Sequence, residues 1–214
     1  MIYGCKPSLL DGTEYILDEM VEIPPTLKAP IEYNYNSYIK YVKDQGPRRT
    51  CVPTSISYLI ELKKSFDNID YNMSIDHIYN IREDKNADGM SIKEALSFMK
   101  KVGYISNKEY KNNSIENIQK IDAYVKLNSI TYIKYSLLSN GPCIFALPVY
   151  DSGRNDFWNG NRFEGGHAIC CIGYDENGFI LKNTWGKNWG DFGNCYLPYS
   201  QVNENLLEAW GLIL

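Results

Sequence analysis

The sequence predicts an α+β fold, mainly helical over its first two-thirds and mainly β over its last third. Between Cys51 and Ser139, apolar residues recur at helical spacings. After Pro142 the texture changes to short apolar runs, CIFALPVY, HAICCIGYD, FILKNTW, CYLPY and AWGLIL, separated by Gly, Asn and Asp clusters. A length of 214 residues suits one domain, or two lobes sharing one fold.

The elements follow in chain order. Residues 1–30 are punctuated by Pro7, Pro24, Pro25 and Pro30 and read as an extended arm rather than a core element. Tyr33 to Lys43 offers only short extended pieces. A helix starts at about Thr50 or Cys51, because Pro53 is tolerated in a first turn and Ile56, Leu59, Ile60 and Leu62 form a stripe behind it. A second helix opens on a capping box from Ser91 to Glu94, carries Ile92, Ala95, Leu96 and Met99, and stops at Gly103. Weaker helical patterns cover about 74–82, 115–126 and 131–139, the last ended by Asn140-Gly141-Pro142.

Composition narrows the function classes. The net charge of -4 argues against a nucleic-acid platform. No apolar run approaches the ~18 residues of a membrane span, and the N-terminus lacks the basic start and apolar stretch of a signal peptide. Two His and no Cys-x-x-Cys leave little material for a metal site, so none is expected. The six cysteines (Cys5, Cys51, Cys143, Cys170, Cys171, Cys195) show no close framework spacing. Five of them read as ordinary buried thiols in a cytoplasmic or other reducing compartment. His77, in a polar helical stretch, reads as a surface residue.

Cys51 stands apart because it sits at a predicted helix start, with His167 at a strand start and Asn183 at the end of the next strand. Only the thiolate is a useful nucleophile. Lowering a thiol pKa to ~4 needs roughly 6 kcal/mol of preferential stabilisation. A helix N-terminus offers up to ~2 kcal/mol, and an imidazolium at ~4 Å about 4 kcal/mol at an effective dielectric of 20. A Cys–His pair at a helix start nearly reaches the requirement, and an amide such as Asn183 can orient the imidazole without competing for its proton. Gln45, six residues before Cys51, could supply an oxyanion donor together with the Cys51 backbone N–H.

The segment DQG with a Cys six residues after the Gln resembles the nucleophile region of papain-like cysteine proteases. The block GGHAICCIGYDENGFILKNTWGKNWGDFG is similar to that family's His–strand–Asn–Trp-Gly–Trp-Gly region. The resemblance covers about 24–214. It implies a two-lobed papain-like fold, with a helical lobe at about 45–135 and a β-barrel-like lobe at about 140–214 plus an N-terminal strand. Residues 1–24 would be an arm or short propeptide, and 25–214 the peptidase domain, closest in style to bacterial, viral or phage-encoded members. It implies Cys51 as nucleophile, His167 as general base, Asn183 as orienting residue, and Gln45 with Cys51 as oxyanion hole. DGMSIKEAL resembles the non-prime subsite, so Asp88, Gly89 and Met90, with Gly166 across the cleft, would meet the substrate. Trp185 and Trp189 would shield the His–Asn pair and border the leaving-group side.

Some positions depart from the family. Arg48 stands where the family has a disulfide cysteine, Arg49-Thr50 replaces a small Gly-Ser pair, and Val52-Pro53 replaces the usual aromatic. The loops between the lobes must be shorter. Arg48-Arg49 reads first as a solvated pair and second as a bias toward acidic substrates. The implied activity is a monomeric endopeptidase acting on a protein or peptide through a thioester, with no cofactor, nucleic acid or membrane partner. The alternatives are a Cys-His acyltransferase of transglutaminase type and an inactive papain-like binding domain.

Overall fold

The computed structural model describes residues 3–24, 26, 28–86, 88–151 and 155–214. Its elements are β1 (Cys5–Lys6), α1 (Leu17–Met20), β2 (Tyr33–Asn34), α2 (Cys51–Phe66), α3 (Ile75–Asn80), β3 (Met90–Ser91), α4 (Ile92–Lys101) and α5 (Asn107–Lys111). These are followed by β4 (Ala123–Lys126), α6 (Ile130–Ser139), β5 (Cys143–Tyr150), β6 (Phe163–Tyr174), β7 (Gly178–Lys182), β8 (Asn194–Pro198), α7 (Tyr199–Asn205) and β9 (Glu208–Ile213).

Helix α2 begins at Cys51, with Pro53 in its first turn where a missing N–H costs nothing. It buries Ile56, Leu59, Ile60 and Leu62, each worth about 1.5–3 kcal/mol when fully withdrawn from water. Helices α3 and α4 pack on it to form the helical lobe, and α5 rests on α3. The α4 capping box is complete: the Ser91 hydroxyl accepts the Glu94 N–H, and the Glu94 carboxylate accepts the Ser91 N–H.

The other lobe is an open sheet in the order β4-β9-β5-β6-β7-β8, with β2 antiparallel to β6 off this path. The β-barrel-like expectation is corrected here, because the path from β4 to β8 does not close on itself. Strand β5 is buried from Cys143 to Val149 and β6 from His167 to Tyr174, the near-continuous apolar texture of strands covered on both faces. Helix α2 lies against β6, where Ser55 Oγ donates to the Ala168 carbonyl at 2.9 Å.

Two local expectations give way. The helix anticipated over about 115–126 is absent: 123–126 is strand β4, which pairs antiparallel with β9, and helix α5 lies earlier. His77 is not a surface residue, since its ring is half-buried between Phe98 and Tyr110 and its Nε2 is buried.

The arm has a defined course. β1 runs parallel to β3 with Cys5 opposite Met90, and Ile16 bridges Lys126. Tyr132 donates its hydroxyl to the Val21 carbonyl at 2.7 Å. The arm therefore touches elements of both lobes.

Candidate active site

The junction of α2 and β6 brings Cys51 against Ala168, the neighbour of His167 in the chain. The Cys51 thiol faces the backbone N–H groups of Ala168, Gly4, Val52 and Cys51 itself, and Ala168 directly follows His167 on β6. Ser55, one helical turn along α2, locks the two elements through the same Ala168.

His167 is held on three sides. Its Nε2 lies 2.7 Å from Asn183 Oδ1. That oxygen also accepts the Thr184 N–H at 2.7 Å, which turns the amide so that oxygen faces the ring. A carbonyl oxygen only accepts, so Nε2 carries the proton and Nδ1 is the basic nitrogen. Trp185 stacks on the imidazole, with centroids 4.4 Å apart and planes at 29°. Phe157 meets it edge-on at 5.5 Å, and Trp189 packs against Trp185 at 5.1 Å. His167 Nδ1, Asn183 Nδ2 and Trp185 Nε1 are buried without a hydrogen-bond partner.

Gln45 is tied to the strand carrying Asn183. Its N–H donates to the Thr184 carbonyl at 2.8 Å, and its Oε1 accepts the Thr184 hydroxyl at 2.5 Å. Its Nε2 donates to the Arg48 carbonyl at 2.7 Å. The backbone of Gln45 and Thr184 and the side chain of each thus interlock.

The arm covers this centre. The Gly4 carbonyl accepts the Met90 N–H at 2.9 Å. Gly89, at φ +80°, has the Gly4 oxygen only 2.2 Å from where a Cβ would stand. At Gly166 the Cys5 oxygen is 2.4 Å from the corresponding point. Three of the sequence-predicted substrate contacts, Gly89, Met90 and Gly166, therefore touch the arm. Asp88 lies outside the strip and ion-pairs with Arg49 at 3.1 Å. Arg48 pairs with Asp76. Both arginines are half-exposed but matched by carboxylates, which removes the unpaired charge that an acidic preference needs.

Under the arm Cys51 is fully buried. Burial pushes its thiol up to about 11, against the smaller opposing pull of the surrounding N–H groups. Burial also draws His167 down to about 4, with the Asn183 hydrogen bond resisting. Both groups are neutral at pH 7 in this closed arrangement, so the ion pair expected from the sequence is not formed in it. All six cysteines are free and buried. Among the described residues, no cluster of three or more His, Cys, Asp or Glu could hold a metal, and no helix is long and apolar enough to cross a membrane.

Thr184, Ser55 and Phe157 were not singled out in the sequence. Thr184 follows Asn183 and Ser55 lies one turn after Cys51, so adjacency was the available signal. Phe157 sits in a loop and had none.

Residues 32–204 match the Peptidase_C39 like family. The structure of xylellain, a cysteine protease from Xylella fastidiosa, superposes with a TM-score of 0.81 at 22% identity, over 99% of this chain and 95% of that one. ProCathepsin B S9 from Trypanosoma congolense gives 0.76 at 14% identity, over 99% and 86%. A peptidase C1-like protein of Acanthamoeba polyphaga mimivirus is 25% identical across 97% of this chain and 76% of its own length. A cathepsin L-like proteinase of Fasciola hepatica is 22% identical, and this chain covers 61% of its length. The fold and its relatives define the class of papain-like cysteine proteases, which are thiol hydrolases. Within that class, this chain belongs to the Peptidase_C39 like family.

Proposed function

We propose that the protein is a cysteine endopeptidase using Cys51, His167 and Asn183, with residues 1–24 acting as an inhibitory propeptide. The observation that carries the reading is the His167 Nε2–Asn183 Oδ1 hydrogen bond of 2.7 Å, which leaves Nδ1 basic and without a hydrogen-bond partner on the residue preceding Ala168, whose backbone faces the Cys51 thiol.

Once the arm leaves, water and the imidazole reach the thiol, and the proton passes from Cys51 to His167 Nδ1. The thiolate then adds to the scissile carbonyl carbon. The oxyanion takes hydrogen bonds from the Cys51 N–H and Gln45 Nε2, each donor worth about 3–4 kcal/mol in the transition state. The C–N bond breaks as His167 gives its proton to the departing amine, leaving a thioester. Water, deprotonated by His167, attacks that thioester, releases the acid and restores the thiol. Asn183 keeps the ring in the tautomer both steps require.

The propeptide reading is supported by Gly4 lying against both Cys51 and Met90. A solved proform, the Trypanosoma proCathepsin B, aligns over 99% of this chain. The test is cleavage of casein and of a fluorogenic peptide after acid treatment, with mass mapping of an epoxide thiol inhibitor. Cys51→Ala should abolish both cleavage and labelling. Persistent cleavage by Cys51→Ala would sink the assignment.

A further inference from the structure

Two of the buried thiols face each other across a strand pair. Strands β5 and β6 run antiparallel, with Cys143 directly opposite Cys171. Opposite residues of an antiparallel pair have Cα atoms about 4.5 or 5.5 Å apart and share one face of the sheet. Both spacings fall inside the roughly 4.4–6.8 Å window that a disulfide spans. Burial pushes the Cys171 thiol up first, and direct contact with the Cys143 thiol adds to it. The Cys171 thiol also donates to the Gly173 carbonyl at 3.7 Å, a long contact that costs little to give up.

The neighbouring cysteines lack this geometry. Cys170 lies opposite Ile144 on β5 and Lys182 on β7. Alternation along β6 turns it to the other face, away from Cys171, its neighbour in the chain. Cys195 pairs with Leu181, and Leu181 pairs with Cys171, so two strand spacings, about 9.5 Å, separate these cysteines. That exceeds the ~7 Å limit for a bond formed without backbone movement.

The geometry points to Cys143 and Cys171 as a disulfide site directed by the fold, closed by a small-molecule disulfide such as oxidised glutathione while the chain folds. The timing follows from burial. Both residues are 0% exposed, so the finished fold hides them from oxidant and reductant alike. The Cys143 thiolate attacks oxidised glutathione, breaks its S–S bond and releases one glutathione thiolate. The Cys171 thiolate then attacks the Cys143 sulfur of that mixed disulfide and expels the second glutathione. Two protein thiols lose two electrons and two protons, and one glutathione disulfide becomes two glutathione thiols. The new bond closes a ring that contains Phe157 and His167, and ties the strand carrying the histidine to β5. Neither thiol belongs to the proposed triad, so the inference stands apart from the endopeptidase reading.

The experiment unfolds the full chain in urea with reductant, removes the reductant, and refolds it in reduced glutathione alone or in a mixture of reduced and oxidised glutathione. A Cys51→Ala chain is carried in parallel to exclude self-digestion and oxidation of that thiol. Non-reducing peptide mapping should find one dominant cross-link in the oxidised product, Cys143 to Cys171, with the chain two hydrogens lighter. The linked chain should need about 1 M more urea to reach its midpoint than the reduced chain. Cys143→Ala and Cys171→Ala should each remove the link and the gain in midpoint. Should either variant fail to refold, the cross-link map of the refolded chain against that of chain oxidised in concentrated urea still decides. A dominant link between any other pair, a folded product without a link, or the same link formed equally well in concentrated urea overturns the inference. Equal midpoints for the linked and reduced chains overturn it as well.

Discussion

Thr184 donates its hydroxyl to Gln45 Oε1 at 2.5 Å, and both side chains are buried. The contact fixes which end of the Gln45 amide faces Thr184, so the NH₂ end is directed toward the Arg48 carbonyl.

Thr184→Val should therefore weaken catalysis without touching the nucleophile. Removing an oxyanion donor outright costs about 10²–10³ in kcat, and Gln45→Ala should fall in that range. Thr184→Val should cost roughly tenfold, in kcat rather than KM. An unchanged kcat would show that the hydroxyl does not position the amide.

Arm displacement should switch on reactivity. Cys51 is fully buried, and an added Cβ at Gly4 meets the Arg49 carbonyl. Gly4→Val should raise the iodoacetamide labelling rate of Cys51 by about tenfold or more over the parent, equivalent to a shift of at least ~1.4 kcal/mol in arm docking. Equal rates would mean that the arm does not gate the thiol.

Docking of the arm should depend on pH at both ends. On the acid side, Asp11 and Glu14 are held below their usual range mainly by hydrogen bonds, from Thr13 for Asp11 and from Lys93 for Glu14. Glu164 is held low by Tyr3 and Arg162. A carboxylate depressed in the docked state stabilises it above the free value near 4, and that contribution is lost as pH falls through and below this value. Buried His167, lowered to about 4 from 6.5, adds a loss that starts below 6.5. On the alkaline side, Cys51 is raised to about 11 from 9.0, so its contribution is complete below 9 and fades between 9 and 11. Protection of Cys51 from labelling, corrected for thiol ionisation, should be greatest between about 6.5 and 9. Lys93→Gln should flatten the lower part of the acid limb, below about 4. A flat protection profile from pH 3 to 8 would contradict this linkage.

Ser55 fastens α2 to β6 one helical turn after Cys51. Its loss in Ser55→Ala removes a buried hydrogen bond, which should lower stability by about 1–3 kcal/mol. Urea denaturation of the full chain provides the measurement, and a change below ~0.5 kcal/mol would assign the contact little weight.

The start of α2, the α4 capping box and the strands after Pro142 were readable locally, because each depends on residues within a few positions of one another. The 115–126 stretch shows the opposite case. Ile115, Ile118, Ile121 and Val125 imitate a helical stripe, yet Ala123–Lys126 pairs with β9 nearly ninety residues away. Long-range pairing overrides a short-range period there. His77 was misplaced because Phe98 and Tyr110, which cover its ring, arrive from other helices. Of the proposed site, Cys51, His167, Asn183 and Gln45 stood out as a pattern of residue types. The course of the arm was not, since its anchors at Met90, Gly166 and Glu208 leave no periodic trace in residues 3–8.

In the proposed endopeptidase, Gly89 and Gly166 would set the gauge of the lane through which a target passes. On both walls, backbone atoms of the occupant stand within 2.4 Å of where a side chain would begin. Such a slot accepts a single extended strand and excludes a helix, whose diameter with side chains is about 10–12 Å. The enzyme therefore reads the local looseness of its target before it reads any residue. In a folded protein it would cut at frayed ends and exposed loops, and the cutting rate would report how often those segments come free.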